Sequence, residues 1–149
     1  MPGDSAKGLL DTNIIILRRW INPESLPTEM AISAVTLAEL SAGVHLVDGD
    51  DPAARVERAR RTDVLQRAEN EFDPIAFDSE AARAFGRICA AVRSSGRSPR
   101  RRVADLMIAS VAAATGLPLY TTNPDDFAGL DDILLVVPVS RPDVLTRRR

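Results

Sequence analysis

The sequence predicts an α/β fold with a mainly parallel central sheet flanked by helices. Three observations lead there. Short apolar runs, "KGLL" at 7–10, "EMAIS" at 29–33, "LPLYT" at 117–121 and "ILLVV" at 133–137, are strand-sized. Between them lie stretches of helical length and spacing, the alternation that builds parallel sheets. At 149 residues and 45% hydrophobic content, the chain can bury one core without disulfides or a structural metal.

In order along the chain, strand 7–10 ends at Asp11, and residues 14–20 have helical length before Pro23 and Pro27 break the run. After strand 29–33, "TLAELSAGVHLV" (36–47) sets Leu37, Leu40, Val44 and Val47 at helical spacing. "DGDDP" is a loop, 53–70 an arginine-rich polar helix, and "FDPIAF" an extended piece. Residues 79–94 place Ala82, Phe85, Ile88, Cys89 and Val92 on one helical face. Ser98 and Pro99 have the order of a cap followed by the first helical residue, and Gly116 closes that helix. "TNPDDFAGLDD" is rich in turn formers. With neither repeats nor a linker, residues 1–149 read as one domain, its core about 7–138 and its tail, about 141–149, loose.

Composition narrows the class. Cys89 is the sole cysteine, so an internal disulfide is excluded and a reducing compartment fits. No apolar stretch approaches the roughly 20 residues of a membrane span, and "MPGDSAKG" lacks the basic start and apolar core of a signal peptide. The expectation is a soluble, cytoplasmic protein. Net charge is −2, which argues against a general nucleic-acid coat. Yet every basic residue but Lys7 is arginine, clustered in "RRTDVLQR", "RSPRRR" and the terminal "RRR". Such patches suit either a small phosphate-bearing contact area or solvated helix faces.

Each acidic candidate has a structural reading beside the functional one. Asp11, with Thr12 and Asn13, could cap the following helix. Thr36 and Glu39 stand in capping-box spacing. Asp105 suits a helix N-terminus, but Val103, Leu106, Met107 and Ile108 make its surroundings apolar, costly for a carboxylate without a charged partner. Asp125 and Asp126 could be turn acids. Taken together they are carboxylates at strand ends or on nearly buried helices, with only one histidine, His45, in the chain. Ligands of open α/β sheets bind beyond the strands' carboxyl ends, and Asp11, Ser33, Thr121 and Asn123 all follow or end a strand. An all-oxygen group selects Mg²⁺ or Mn²⁺ over zinc, and a cation relieves the mutual repulsion.

"LLDTNIII", "TLAEL", "RRVADLMIASVAAATGLPLYTTNPDDF" and "VVPV", in that order, resemble a PIN-domain ribonuclease, most closely the VapC-type toxins of bacterial toxin–antitoxin pairs. The likeness runs from residue 7 to about 138. It implies a PIN-like fold and an acidic pocket for Mg²⁺ or Mn²⁺. Asp11, Glu39 and Asp105 match the family's acidic positions. Asn123 stands where many relatives carry aspartate, with Asp126 as the acid that supplies charge there instead. Thr121 and Asn13 would be polar support. The activity implied is metal-dependent cleavage of structured RNA, transfer or ribosomal, which stops translation and growth. Arg97, Arg100, Arg101 and Arg102 are the candidates for RNA phosphates. A cognate small antitoxin, a homodimer and no membrane association complete the expectation, and the apolar Ile15, Ile16, Leu17, Trp20, Val44, Leu46 and Val47 are candidates for partner contact.

Competing classes fare less well. A dehalogenase-type phosphotransferase needs an aspartate where Asn13 stands, and a receiver domain needs a late lysine that this chain lacks. A degenerate PIN scaffold that binds RNA or protein without cutting is the alternative function.

Overall fold

The computed structural model describes residues 7–143. Strand β1 (Lys7–Leu10) leads into helix α1 (Thr12–Leu17), and β2 (Glu29–Ala31) into α2 (Ala34–His45). Helices α3 (Pro52–Glu71), α4 (Ser79–Ser94) and α5 (Val103–Thr115) precede β3 (Leu119–Thr121) and β4 (Val136–Pro138). The four strands are all parallel, in the order β2-β1-β3-β4.

That order places the site. The chain leaves β1 toward β2 on one side and later enters β3 on the other. The crevice at the carboxyl ends of β1 and β3 is therefore the switch point of the sheet. Asp11 follows β1 directly and Thr121 ends β3, so both stand at this crevice.

Alternation along β1 divides the core. Leu9 packs with Leu106, Ile108, Leu119, Phe127 and Leu130 under α4 and α5. Leu10 packs with Ile14, Ile32, Leu40 and Ala68 under α1, α2 and α3. A strand buried on both faces needs the unbroken apolar run that "LL" supplies.

Several boundaries differ from expectation for local reasons. Helix α1 starts at Thr12 and gives way to a 3-10 turn at Arg18–Trp20. Helix α2 is capped by Ser33, whose hydroxyl accepts from Thr36 N at 3.1 Å. The capping box at Thr36 and Glu39 is thus overturned, because the true cap lies one turn earlier. Ser98 makes no side-chain cap. Pro99–Arg102 is a 3-10 turn and the α-helix begins at Val103. On α4 the buried face is Ala81, Ala84, Ile88 and Val92, one position from the expected Ala82, which is exposed. Strand β4 begins at Val136, while Leu134 is buried in the preceding turn. Gly116 closes α5 with φ 72°, a left-handed cap as expected. Of the apolar residues assigned to a partner, Ile15 and Leu17 are buried in the chain's own core. Leu46 is 71% exposed. The expected loose tail falls largely on residues 144–149, outside those described. No helix among the described residues is long and apolar enough to cross a membrane.

Candidate active site

Asp11 is 4% exposed and serves two purposes. One carboxylate oxygen, Oδ1, accepts from Thr12 N at 2.9 Å, which caps α1. The other, Oδ2, accepts from Thr121 Oγ1 at 2.8 Å across the β1–β3 crevice. Thr121 Oγ1 in turn accepts from Asn123 N at 3.0 Å, so one hydroxyl joins strand, turn and carboxylate. Asp11 therefore caps α1 with one oxygen and faces the crevice with the other.

Glu39 faces this group from α2. Its Oε1 accepts from Thr12 Oγ1 at 2.6 Å. Thr36 Oγ1 lies 3.0 Å from the same hydroxyl. Thr12 has one hydroxyl proton, spent on Glu39, so the buried Thr36 is the donor to Thr12. Thr12 and Thr36 thus orient Glu39, a role that sequence reading missed. Their signal was only that each is a hydroxyl beside a candidate acid.

Asp105 occupies the first turn of α5. Burial pushes its pKa up to about 6, helped by the charges of Asp11 and Asp126 and opposed by Arg102. Burial also raises Asp11, against its hydrogen bonds from Thr121 and Thr12 and with further upward push from Glu39 and Asp126. Asp11 thus feels Glu39 and Asp126, and Asp105 feels Asp11 and Asp126, as expected of carboxylates grouped in low dielectric.

Asp126 enters this group from a 3-10 turn, Pro124–Phe127, and pairs with Arg102 at 2.8 Å. The Arg102 Nη1–H does not point along that line, so the contact is an ion pair without an aligned hydrogen bond, and Nη1 is otherwise buried and unpartnered. Asn123 contributes its backbone N–H to Thr121, while its side chain makes no hydrogen bond among the described residues.

Asp11, Thr12, Asn13, Glu39 and Asp105 line a cleft of about 430 Å³. Its other wall carries Ile16, Val64, Arg60 and Arg61. The latter two open the "RRTDVLQR" cluster, which the sequence left open between a phosphate-contact patch and a solvated helix face. Of the four expected phosphate-binding arginines, Arg102 turns to Asp126 and Arg97 donates to Asp125 O at 2.7 Å, pinning the turn. Arg100 and Arg101 remain exposed without a partner among the described residues.

The donor set fits a hard divalent cation: oxygen only, partly buried, and mutually repelling. Among the described residues no three acids form a closed coordination cluster. That is compatible with Mg²⁺, which keeps several waters and takes one or two carboxylates directly.

The PIN-domain family pattern matches residues 9–133. This chain belongs to the PIN-domain family. Ribonuclease VapC5 of Mycobacterium tuberculosis is 37% identical over 134 residues, covering 88% of this chain and 93% of that one. The VapC ribonuclease Y4jK of Sinorhizobium fredii is 32% identical over 143 residues, covering 84% and 94%. Among solved structures, a VapBC-5 toxin–antitoxin structure from M. tuberculosis matches with TM-score 0.76 and 34% identity, over 91% of this chain and all of that one. A DNA-bound VapBC structure from Salmonella typhimurium matches with TM-score 0.61 and 25% identity, over 89% and 97%. The parallel sheet with helices on both faces is the PIN fold of these structures.

Proposed function

We propose that this PIN domain is a divalent-metal-dependent endoribonuclease and the toxin of a toxin–antitoxin pair. The observation that carries it is Asp11, buried and oriented at the sheet's switch point, beside Asp105 with its pKa pushed up to about 6. The names of the VapC relatives support the ribonuclease class.

Asp11 and Asp105 would hold Mg²⁺ or Mn²⁺. Such an ion, when bound, polarises a phosphate oxygen and activates water. Thr121 fixes the Asp11 carboxylate, and Thr12 holds Glu39 Oε1, leaving Oε2 without a hydrogen bond among the described residues at the lining of the cleft. Glu39 is then placed to orient the attacking water and take its proton. Water attacks phosphorus as the bond to the 3′ oxygen breaks, the leaving 3′ oxygen takes up a proton from solvent to become a hydroxyl, and no protein nucleophile is required. Asp126 adds negative charge and is held by Arg102. Asn13 and Asn123 offer uncharged polar support. Arg100 and Arg101 are free for RNA phosphates. Transfer RNA and ribosomal RNA loops are both suitable substrates, and their cleavage would halt translation.

For the partner, we place an amphipathic antitoxin segment in the groove of about 540 Å³ lined by Ile16, Trp20, Val64 and Phe72. Toxin–antitoxin structures among the neighbours support this class of partner. A homodimer and a cytoplasmic setting belong to the same reading.

The test is cleavage of bulk transfer RNA and ribosomal RNA by purified protein with Mg²⁺ or Mn²⁺. Cleavage that stops with EDTA and in Asp11→Asn is expected. Absence of cleavage with every divalent ion would favour the second reading, a scaffold that binds without cutting. That reading is favoured by uncharged Asn123 and by the commitment of Asp126 to Arg102.

A further inference from the structure

Helix α3 carries a run of arginines, and most of them are matched. Arg55 pairs with Asp50, Arg67 with Asp63, and Arg58 donates to the carbonyls of Val47 and Gly49. Asp50 also lies within ion-pair distance of Arg58, so it serves two arginines as Glu57 serves Arg60 and Arg61, but only Arg60 and Arg61 line the acidic cleft. Arg60 donates to Glu57 through Nε at 3.0 Å and Nη2 at 2.6 Å. Arg61 donates through Nε at 2.7 Å and reaches across to Gly43 O of α2 through Nη1 at 2.8 Å. One positive charge is left over. Arg60 Nη1 and Arg61 Nη2 have no hydrogen-bond partner among the described residues.

Arg60 and Arg61 line the same cleft as Asp11, Glu39 and Asp105. A phosphodiester entering that cleft meets a wall of carboxylates and needs fixed positive charge on the other side. Guanidinium forks held by a carboxylate behind them are ordered before the anion arrives, so little side-chain entropy is lost on contact. No other arginine of α3 lines this cleft.

We infer that Arg60 and Arg61, anchored by Glu57, form the phosphate-binding wall of the acidic cleft and hold the RNA backbone beside the carboxylates. This rests on the nuclease reading above, and it gives Arg60 and Arg61 of α3 the role for which Arg97, Arg100, Arg101 and Arg102 were the named candidates.

The probe is bulk transfer RNA. Binding is measured in the Asp11→Asn background as a function of salt, and steady-state cleavage is measured in the otherwise unaltered protein. Arg60→Gln is the cleaner variant, since the hydrogen bonds of Arg60 stay within its own helix, and thermal melting checks that each variant folds. Loss of a charge-assisted phosphate contact should weaken RNA binding about tenfold and raise KM by a similar factor with kcat little changed. The slope of log K against log salt should become shallower by about 0.7–0.9 per arginine removed. Arg60→Lys should recover the slope and part of the affinity. Glu57→Gln breaks the anchor but leaves both charges, so its slope should stay at the parent value. Parent-like affinity and slope in folded Arg60→Gln and Arg61→Gln overturn the inference, and so does an equal loss of slope in Glu57→Gln. If the unaltered protein neither binds nor cleaves RNA with any divalent ion, the nuclease reading itself has failed.

Discussion

At the residue scale, the acids differ in what holds them, and substitutions should separate them. Asp11→Asn keeps the cap on α1 but removes the charge. RNA cleavage should be lost while the fold survives, and the metal-free melting temperature should rise because repulsion with Glu39 and Asp126 falls. Retained cleavage in that variant excludes Asp11 as a ligand. Thr121→Val removes the donor to a buried carboxylate and should cost about 1–3 kcal/mol, read by denaturant unfolding, together with much of the activity. Asn123→Ala should weaken cleavage less than Asp105→Ala, because asparagine brings an oxygen but no charge. Asp126→Ala should be the more harmful of the two turn substitutions. Asp105 also predicts a pH signature. Its unfolded value is 3.8 and its folded value about 6, so between these the native state still holds a proton that the unfolded state has released. Stability from this group is therefore present below 3.8, falls as pH rises toward about 6, and stays lost above. Asp105→Asn lacks the titration. Its melting temperature relative to the parent, without metal, should climb between pH 4 and 6 and then level off. A flat difference across that window contradicts the burial of Asp105.

At the element scale, two close fits position the site. Gly8 in β1 lies under the Tyr120 ring of β3. A Cβ there would stand 2.4 Å from Tyr120 Cε1 and 3.0 Å from Pro27 Cγ. Gly8→Ala should destabilise by about 1–3 kcal/mol through overpacking between the strands that carry Asp11 and Thr121. Adding Tyr120→Leu should recover part of the loss, a non-additivity expected of residues in contact. Full parental stability in Gly8→Ala would show that the ring moves freely. Ser33 is the cap of α2, the helix that delivers Glu39. Ser33→Ala should cost about 1 kcal/mol. The same change at Ser98, which caps nothing, should cost far less, and equal losses would contradict this assignment of caps.

At the scale of the whole molecule, the acids cluster because the sheet order β2-β1-β3-β4 brings the ends of β1 and β3 side by side. A divalent ion binding there binds only the folded state. At a hundred times its dissociation constant it should stabilise by about 2.7 kcal/mol. That is a melting-temperature rise of about 5–10 °C for a chain of this size. The rise should vanish in Asp105→Asn, and an undiminished rise there would place the ion elsewhere. A small antitoxin encoded beside this protein should co-purify with it and block cleavage. If it binds and leaves RNA cleavage untouched, the toxin reading fails while the nuclease reading stands.

The order of strands and helices, and three acids at their ends, were legible in the sequence because they depend on local matters. Apolar runs of strand length, helical spacing and a left-handed glycine at residue 116 act within a few neighbours. The family likeness of "LLDTNIII" and "RRVADLMIAS" named Asp11 and Asp105 for the same reason, since each motif is contiguous. What local pattern could not reveal was which residues meet. Glu39 matched a capping box in spacing, yet its partner is Thr12, 27 positions away. Thr121 reaches Asp11 across 110 positions. The sequence left Arg60 and Arg61 open between a phosphate-contact patch and a solvated face, and only the packing of α3 against α2 placed them at the cleft. A side chain's partner is decided by packing between elements distant in sequence, and that became fixed only when the parallel sheet closed between its two layers of helices.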